Sequence, residues 1–271
     1  DIEHPGACHL YIHATESTSD PGLALPCADG LGAAIPVASH IQHMPSHTWN
    51  EVGLWGRSVR ANQLAVRSDG MAGQNRGFSY GPSHNLHMLL FAASMDGQSA
   101  VALQAGRDYT AVTGDPTYEL LTSLRFGRFE DILEVGARPP GDIPGGYWEF
   151  AQGYARLRHG DLRGAEEHLQ AVRALADGSH AMFRFHSAAQ LMGLSAALLE
   201  GEIRFAQGDS EGAIAAFRRA AQLDDEQFYD EPEPIPYAAR HWLGAALMEA
   251  GRHAEAEQEY RVELEDHPHN V

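Results

Sequence analysis

Apolar residues recur along the chain at the three- and four-residue spacing that is typical of amphipathic helices. Each apolar segment ends at a glycine or proline, and another such segment follows within a few residues. The clearest case joins residues 196–207 to residues 213–223 through Gly208 and Asp209. The two-residue alternation of a half-buried strand is not seen. The pattern therefore predicts successive pairs of antiparallel helices.

A recurring glycine marks the turn within each predicted pair. The turn glycines are Gly53, Gly97, Gly127, Gly160, Gly208 and Gly251. Helix pairs that repeat with a period of about 34 residues are typical of tetratricopeptide arrays, and longer intervals reflect longer loops. Residues 200–217 (EGEIRFAQGDSEGAIAAF) and 242–251 (WLGAALMEAG) resemble that family closely, and the resemblance is good over residues 140–265.

We therefore predict an all-α, tetratricopeptide-like superhelix of about seven helix-turn-helix units. Residues 1–110 form its histidine-rich repeats, and residues 111–271 continue the same solenoid as C-terminal repeats. The extra length of individual repeats falls in predicted loops at residues 69–83, 177–187 and 225–236.

Histidine is concentrated at one end of the chain. Eight of the 16 histidines lie within the first 87 residues. The resemblance implies that the first helix of each pair lines a concave groove through three positions, which in the repeat that turns at Gly53 are His40, His43 and His47. If Ser19 takes the glycine position of the first repeat, seven of the nine groove positions in the first three repeats are histidine, against one of 12 in the later four. The seven are His9, His13, His40, His43, His47, His84 and His87.

This arrangement predicts a metal site. Two histidines three or four residues apart on a helix project to the same side, and neighbouring helices pack roughly 8–10 Å apart, so their imidazoles can meet at one ion. Such pairs occur on three predicted neighbouring helices. We predict that the seven groove histidines supply the metal ligands. The alternative is a hydrogen-bonded polar groove that recognises a peptide or small molecule.

Three other residues bear on this site. Glu16 and Asn50 each lie three residues beyond a groove histidine, and both are candidate catalytic residues. Glu16 is suited to binding a metal, orienting an imidazole or acting as a base, although a capping or solvated carboxylate is an equal alternative. Pro45 removes a helical amide. We expect a kink there within a helix that is already formed at His40; the alternative is a helix that starts at Pro45, with His40 and His43 on an extended segment before it.

The two cysteines lie on the first two predicted helices. If these helices turn near residues 18–20, Cys8 and Cys27 lie opposite each other. They then touch or form one disulfide; the sequence leaves both open.

Charge and composition limit the partners. The formal charge of −18 argues against nucleic acid and anionic membrane surfaces as partners, because both require a basic surface. No apolar segment approaches the roughly 20 residues of a spanning helix, and no secretory signal is recognisable. The chain begins with Asp1, so we expect a processed or truncated product, and we favour a cytoplasmic location.

A second resemblance comes from the histidine segments themselves. Residues 4–16 (HPGACHLYIHATE), 43–47 (HMPSH) and 84–87 (HNLH) are similar to blocks in a family of bacterial tetratricopeptide proteins, mostly uncharacterised. The resemblance spans nearly the whole chain and implies further repeats before its N-terminus. It implies a fold but no reaction.

The chemistry that we predict rests on the histidines. Sites rich in imidazole and poor in carboxylate suit copper best, with zinc or iron as alternatives, and the number of histidines indicates a multinuclear site. We predict a copper-dependent oxidoreductase that takes a small-molecule or peptide substrate in its groove. One alternative is a zinc- or iron-dependent hydrolase with Glu16 as its base. The other is a non-enzymatic peptide-binding module, whose groove includes Tyr147, Phe150 and Tyr154. The oligomeric state is left open.

Overall fold

The computed structural model of the chain describes residues 2–72 and 81–270. Across these residues the architecture is all-α, with 15 α-helices, one short 3-10 helix and one hairpin of two-residue strands. The predicted fold class, an all-α helical repeat of tetratricopeptide type, is confirmed.

The chain divides into two compact units. The first consists of Asp1–Gly114, Glu231–Pro236 and Leu264–Val271, and the second of Asp115–Asp230 and Tyr237–Glu263. Two short segments late in the chain therefore belong to the same unit as the histidine-rich repeats.

The first unit contains seven α-helices and the 3-10 helix among its described residues. They are α1 (Pro5–Thr15), the 3-10 helix (Pro21–Ala24), α2 (Leu25–Ala34), α3 (Ser39–His43), α4 (Pro45–Glu51), α5 (Trp55–Ala72), α6 (Pro82–Met95) and α7 (Ser99–Thr113). The start predicted for the loop at residues 69–83 was wrong, because α5 continues to Ala72. Asp69, in the last turn of α5, accepts a 2.7 Å hydrogen bond from Asn85 on α6. Residues 73–80 of that loop lie outside the described residues.

The second unit follows the same scheme. Its helices are α8 (Thr117–Arg125), α9 (Phe129–Glu134), α10 (Asp142–Arg158), α11 (Leu162–Gly178), α12 (Ala188–Ala206), α13 (Ser210–Asp225), α14 (Ala239–Glu249) and α15 (His253–Asp266). The last three residues of α15 belong to the first unit. The predicted loop at residues 177–187 holds the hairpin, in which Met182 pairs with Ser187 and Phe183 with His186. Two residues per strand are too short to be visible as an alternating pattern.

The predicted turn glycines all have a left-handed backbone, with φ between 66° and 82°. At Gly53 a second constraint applies, because a Cβ atom there would overlap the carbonyl of Pro268. Trp55 Nε1 donates a 3.0 Å hydrogen bond to the same carbonyl. The turn after α4 is therefore the position at which the C-terminal segment packs into the first unit.

A small apolar core lies beneath the histidine-bearing helices of the first unit. It joins α1, the 3-10 helix, α2 and the end of α3, and its buried members are Cys8, Ile12, Ala24, Cys27, Ala28, Leu31 and Met44. Cys8 and Cys27 form a disulfide with their Cα atoms 5.0 Å apart, which confirms the predicted hairpin of the first two helices.

The predicted kink at Pro45 is also present. Helix α3 ends at His43, Met44 keeps helical dihedral angles, and α4 begins at Pro45. The proline lacks the amide that a continuous helix would pair with Ile41, so the hydrogen-bond ladder is interrupted there while the chain keeps its helical path.

Candidate metal centre

Helix α1 presents three polar side chains on successive turns. His9, His13 and Glu16 are four and three residues apart, so they follow one face of the helix. His13 Nδ1 lies 2.6 Å from Glu16 Oε1. His4 lies before the helix and caps it, its Nδ1 accepting a 3.2 Å hydrogen bond from the amide of Ala7.

The kinked pair of helices α3 and α4 brings a second row of imidazoles against the first. His40 Nε2 lies 3.0 Å from His9 Nε2, and His40 Nδ1 lies 3.1 Å from His43 Nε2. The ring of His47 is centred 5.1 Å from that of His13 and 4.9 Å from that of His43. The imidazoles therefore form a continuous cluster across two segments of the chain.

Helix α6 adds His84, whose ring centroid is 4.9 Å from that of His43 and 5.8 Å from that of His47. Three sets of side chains then place one potential ligand atom each within 4.8 Å of one another. We call them the first histidine group (His9, His13 and His40), the second histidine group (His43, His47 and His84) and the mixed group (His13, Glu16, His47 and Glu231).

Six of the seven predicted ligands are thus brought together. His87 lies apart from the three groups: it is buried on α6, and its ring faces Tyr109 of α7 at a centroid distance of 6.3 Å. Three residues along a helix turn a side chain by about 60° from the direction of His84, which directs His87 towards α7 instead of His43. Asn50 is buried too, and its Nδ2 lies 4.0 Å from the sulfur of Met88.

Glu16 lies between two imidazoles that belong to different histidine groups. Its Oε1 is 2.6 Å from His13 Nδ1, and its Oε2 is 2.6 Å from His47 Nδ1. The first contact is a regular hydrogen bond, whereas the second is a close polar contact whose direction departs from that of a hydrogen bond. One carboxylate, only 2% exposed, therefore links the first and second groups.

Sequence reasoning missed Glu231. Its Oε1 and Oε2 lie 3.9 Å from His13 Nδ1 and 3.8 Å from His47 Nδ1, although Glu231 is remote from both histidines in the sequence. The neighbouring Glu233 contacts His267 Nε2 at 3.0 Å, which connects this segment to the C-terminal segment held at Trp55. Glu231 belongs to a predicted loop with no periodic pattern, so no local signal identified it.

Burial lowers the pKa of three of the six clustered imidazoles. Burial, with a smaller contribution from neighbouring histidines, lowers the pKa of His9 and lowers that of His40 to about 4. Complete burial, reinforced by His47 and His84, holds the pKa of His43 well below its usual value. At His13 the direction is reversed, because the hydrogen bond to Glu16 raises its pKa. Burial also raises the pKa of Glu231, which is hydrogen-bonded to Glu16.

Within the second histidine group, three buried nitrogens lack a hydrogen bond to the described residues. They are His43 Nδ1 and both ring nitrogens of His47. Leaving a buried polar atom without a partner costs roughly 1–3 kcal/mol, so such atoms usually serve a purpose.

Comparison with known proteins supports the repeat architecture of the later part of the chain. A family model described as tetratricopeptide repeat matches residues 150–228 and, in a second copy, residues 198–271. The six clustered histidines lie outside this match. No curated protein matches the chain significantly. Among the described residues, no helix is both long enough and apolar enough to cross a membrane.

Proposed function

We propose that the first unit binds transition-metal ions through its two histidine groups, that copper is the preferred metal, and that the chain acts as a metal-dependent oxidoreductase. The observation that carries this proposal is the second histidine group. There three imidazoles meet, and the buried nitrogens His43 Nδ1 and His47 Nε2 have no hydrogen-bond partner among the described residues. A metal ion would supply the missing partner.

The protonation states of the clustered histidines also favour metal binding. A metal ligand must offer a lone pair, so a histidine ligand must be neutral. The lowered pKa values of His9, His40 and His43 keep these three side chains neutral at pH 7 without a metal. A groove that only binds a peptide or small molecule does not require several buried neutral imidazoles in contact with one another.

Ligand chemistry favours copper. The two histidine groups together offer six imidazoles, and imidazole sites bind copper most tightly among the common divalent metals. Bound copper would supply one-electron redox chemistry. The protein's contribution is to hold the ligands, exclude water from His43 and His47, and keep the first and second groups adjacent through Glu16.

Glu16 is better suited to positioning imidazoles than to acting as a base. Both of its oxygens lie 2.6 Å from a histidine Nδ1, and the side chain is buried. The hydrogen bond between Glu16 and His13 Nδ1 fixes that ring so that Nε2 would face a metal, and the close contact with His47 Nδ1 restricts the second ring. This geometry weakens the hydrolase alternative, in which Glu16 would face a water molecule.

The peptide-binding alternative draws on the family match, because tetratricopeptide repeats commonly bind proteins or peptides. The groove aromatics expected for such a site, Tyr147, Phe150 and Tyr154, are at most 5% exposed. Tyr154 also donates a 2.7 Å hydrogen bond to Glu202. These three side chains therefore pack the second unit and are not available to a ligand.

Elemental analysis of the full chain, purified without added metal and again after loading with copper, tests the proposal. We expect one to two copper ions per chain and ascorbate-dependent uptake of dioxygen by the loaded protein. The control is His253→Ala, an exposed histidine outside the groups, which should load equally. No stoichiometric copper after loading, or loading without oxygen uptake, would contradict the proposal.

A further inference from the structure

The mixed group differs from the two histidine groups in its ligand chemistry. It combines two carboxylates, Glu16 and Glu231, with the Nδ1 atoms of His13 and His47. We infer that this group is a separate cation site, able to bind a divalent ion that prefers oxygen ligands, such as Mn²⁺, and that an ion there competes with the histidine groups for His13 and His47. The inference rests on the proposed function only where it concerns that competition.

The distances suit a single ion. Ligand atoms about 2.1 Å from an ion lie roughly 3.0 Å apart when adjacent and about 4.2 Å apart when opposite. The Glu231 oxygens lie 3.9 and 3.8 Å from the two Nδ1 atoms, within this range. The two contacts of Glu16 are 2.6 Å, so they would open by a few tenths of an ångström when an ion enters.

The charges point to the same site. Glu16 and Glu231 are hydrogen-bonded to each other, and two carboxylates in contact repel unless a proton or a cation lies between them. Glu16 is buried, whereas the Glu231 side chain is 36% exposed, so an ion would reach the site from the side of Glu231. Carboxylate oxygens favour manganese over copper relative to an imidazole-only site.

Competition follows from the chemistry of imidazole. A neutral imidazole carries a proton on one nitrogen and has a lone pair on the other, so it binds one ion at a time. With the Nδ1 proton facing Glu16, His13 and His47 offer Nε2 to the histidine groups. With an ion held at Nδ1, the proton moves to Nε2, and each histidine group retains only two ligands. The two modes of binding exclude each other.

Glu231 is therefore the residue that distinguishes the two modes. When the histidine groups hold the ions, Glu16 alone orients the imidazoles of His13 and His47, so these groups do not need Glu231. When an ion occupies the mixed group, Glu231 completes its ligand set. The variant Glu231→Gln keeps the size of the side chain and removes its charge at a partly exposed position, so the fold should tolerate it.

A titration of the metal-free full chain with Mn²⁺, followed by the electron paramagnetic resonance signal of free Mn²⁺, tests the inference. The chain should bind one Mn²⁺, and E231Q should bind it roughly 10- to 100-fold more weakly. The control E167Q changes an exposed carboxylate of the second unit, which pairs with Arg163, and should behave as the unaltered chain. Copper loading of E231Q, measured separately, should be unchanged, and Mn²⁺ should reduce copper loading in the unaltered chain but not in E231Q.

Equal Mn²⁺ affinity in E231Q and the unaltered chain would overturn the inference, as would the absence of Mn²⁺ binding in a chain that still takes up copper. A chain that binds Mn²⁺ through Glu231 but takes up no copper would instead refute the proposed function and the competition, while the mixed site itself would stand. The two failures are thus distinguishable.

Discussion

The Nε2 atoms of His9 and His40 lie 3.0 Å apart, although the two residues are 31 positions apart in the sequence. Each residue lies at a groove position of its own predicted repeat, and the two repeats meet so that their imidazoles touch. His40 continues the contact to His43 through its other nitrogen, at 3.1 Å. The first and second histidine groups are therefore joined by direct contacts between imidazoles.

His43 and His47, at the centre of the cluster, should be indispensable for metal binding by the second histidine group. A His43→Ala, His47→Ala double variant removes two of the three ligands of the second group. It also removes one of the two imidazoles that Glu16 contacts. We expect the copper ion of the second group and oxygen uptake to be lost, because the ligands of the first group are unchanged, while helicity, measured by circular dichroism, is largely retained. His253→Ala is the matched control. Full copper occupancy in the double variant would show that the cluster is not the metal site.

The two histidine groups should be separable by single substitutions. His9→Ala removes a ligand of the first group only, and His84→Ala removes a ligand of the second group only. If each group holds one ion, each variant should lose about one copper per chain in elemental analysis, and the variant with both changes should lose both. An unchanged copper count in either single variant would mean that its group binds no ion of its own.

How much of this centre could be predicted differs from residue to residue. The six clustered histidines were identified by one repeat offset, because helical periodicity determines which side chains share a face. The same offset selected His87, which faces Tyr109 on the adjoining helix α7. Glu231 could not be found in this way. Its position depends on packing between segments remote in sequence, such as the hydrogen bond from Trp55 to Pro268, and no local pattern encodes that contact.

The disulfide should contribute measurably to the stability of the first unit. Cys8 and Cys27 close a loop with a sequence separation of 19, for which restriction of the unfolded chain contributes about 3 kcal/mol. A Cys8→Ser, Cys27→Ser variant should therefore melt roughly 5–10 °C lower in calorimetry. A reducing agent should lower the melting temperature of the unaltered chain by a similar amount and leave the variant unaffected. If the reducing agent also lowers the melting temperature of the variant, the decrease in the unaltered chain does not arise from the disulfide.

The stability of the metal-free chain should depend on pH through Glu51. Burial, helped by the charge of Glu233, raises the pKa of this carboxyl to about 8. The folded chain thus binds a proton more tightly than the unfolded chain, so the stability that the group confers is greatest below about pH 4.5 and is lost as the pH rises towards 8. Glu51→Gln should therefore raise the melting temperature at pH 9 by several degrees and have little effect near pH 4.5. An equal effect at both pH values would contradict this assignment.

The membership of Glu231 in the first unit has a consequence for the order in which the centre is assembled. All six clustered histidines have been synthesised once the ribosome has passed His84, whereas Glu231 is added much later. At roughly 5–20 residues per second, synthesis of the roughly 150 residues in between lasts about 7–30 s. During translation, therefore, all ligands of the two histidine groups exist before the mixed group is complete, and an ion that needs Glu231 can bind only after that residue has been synthesised.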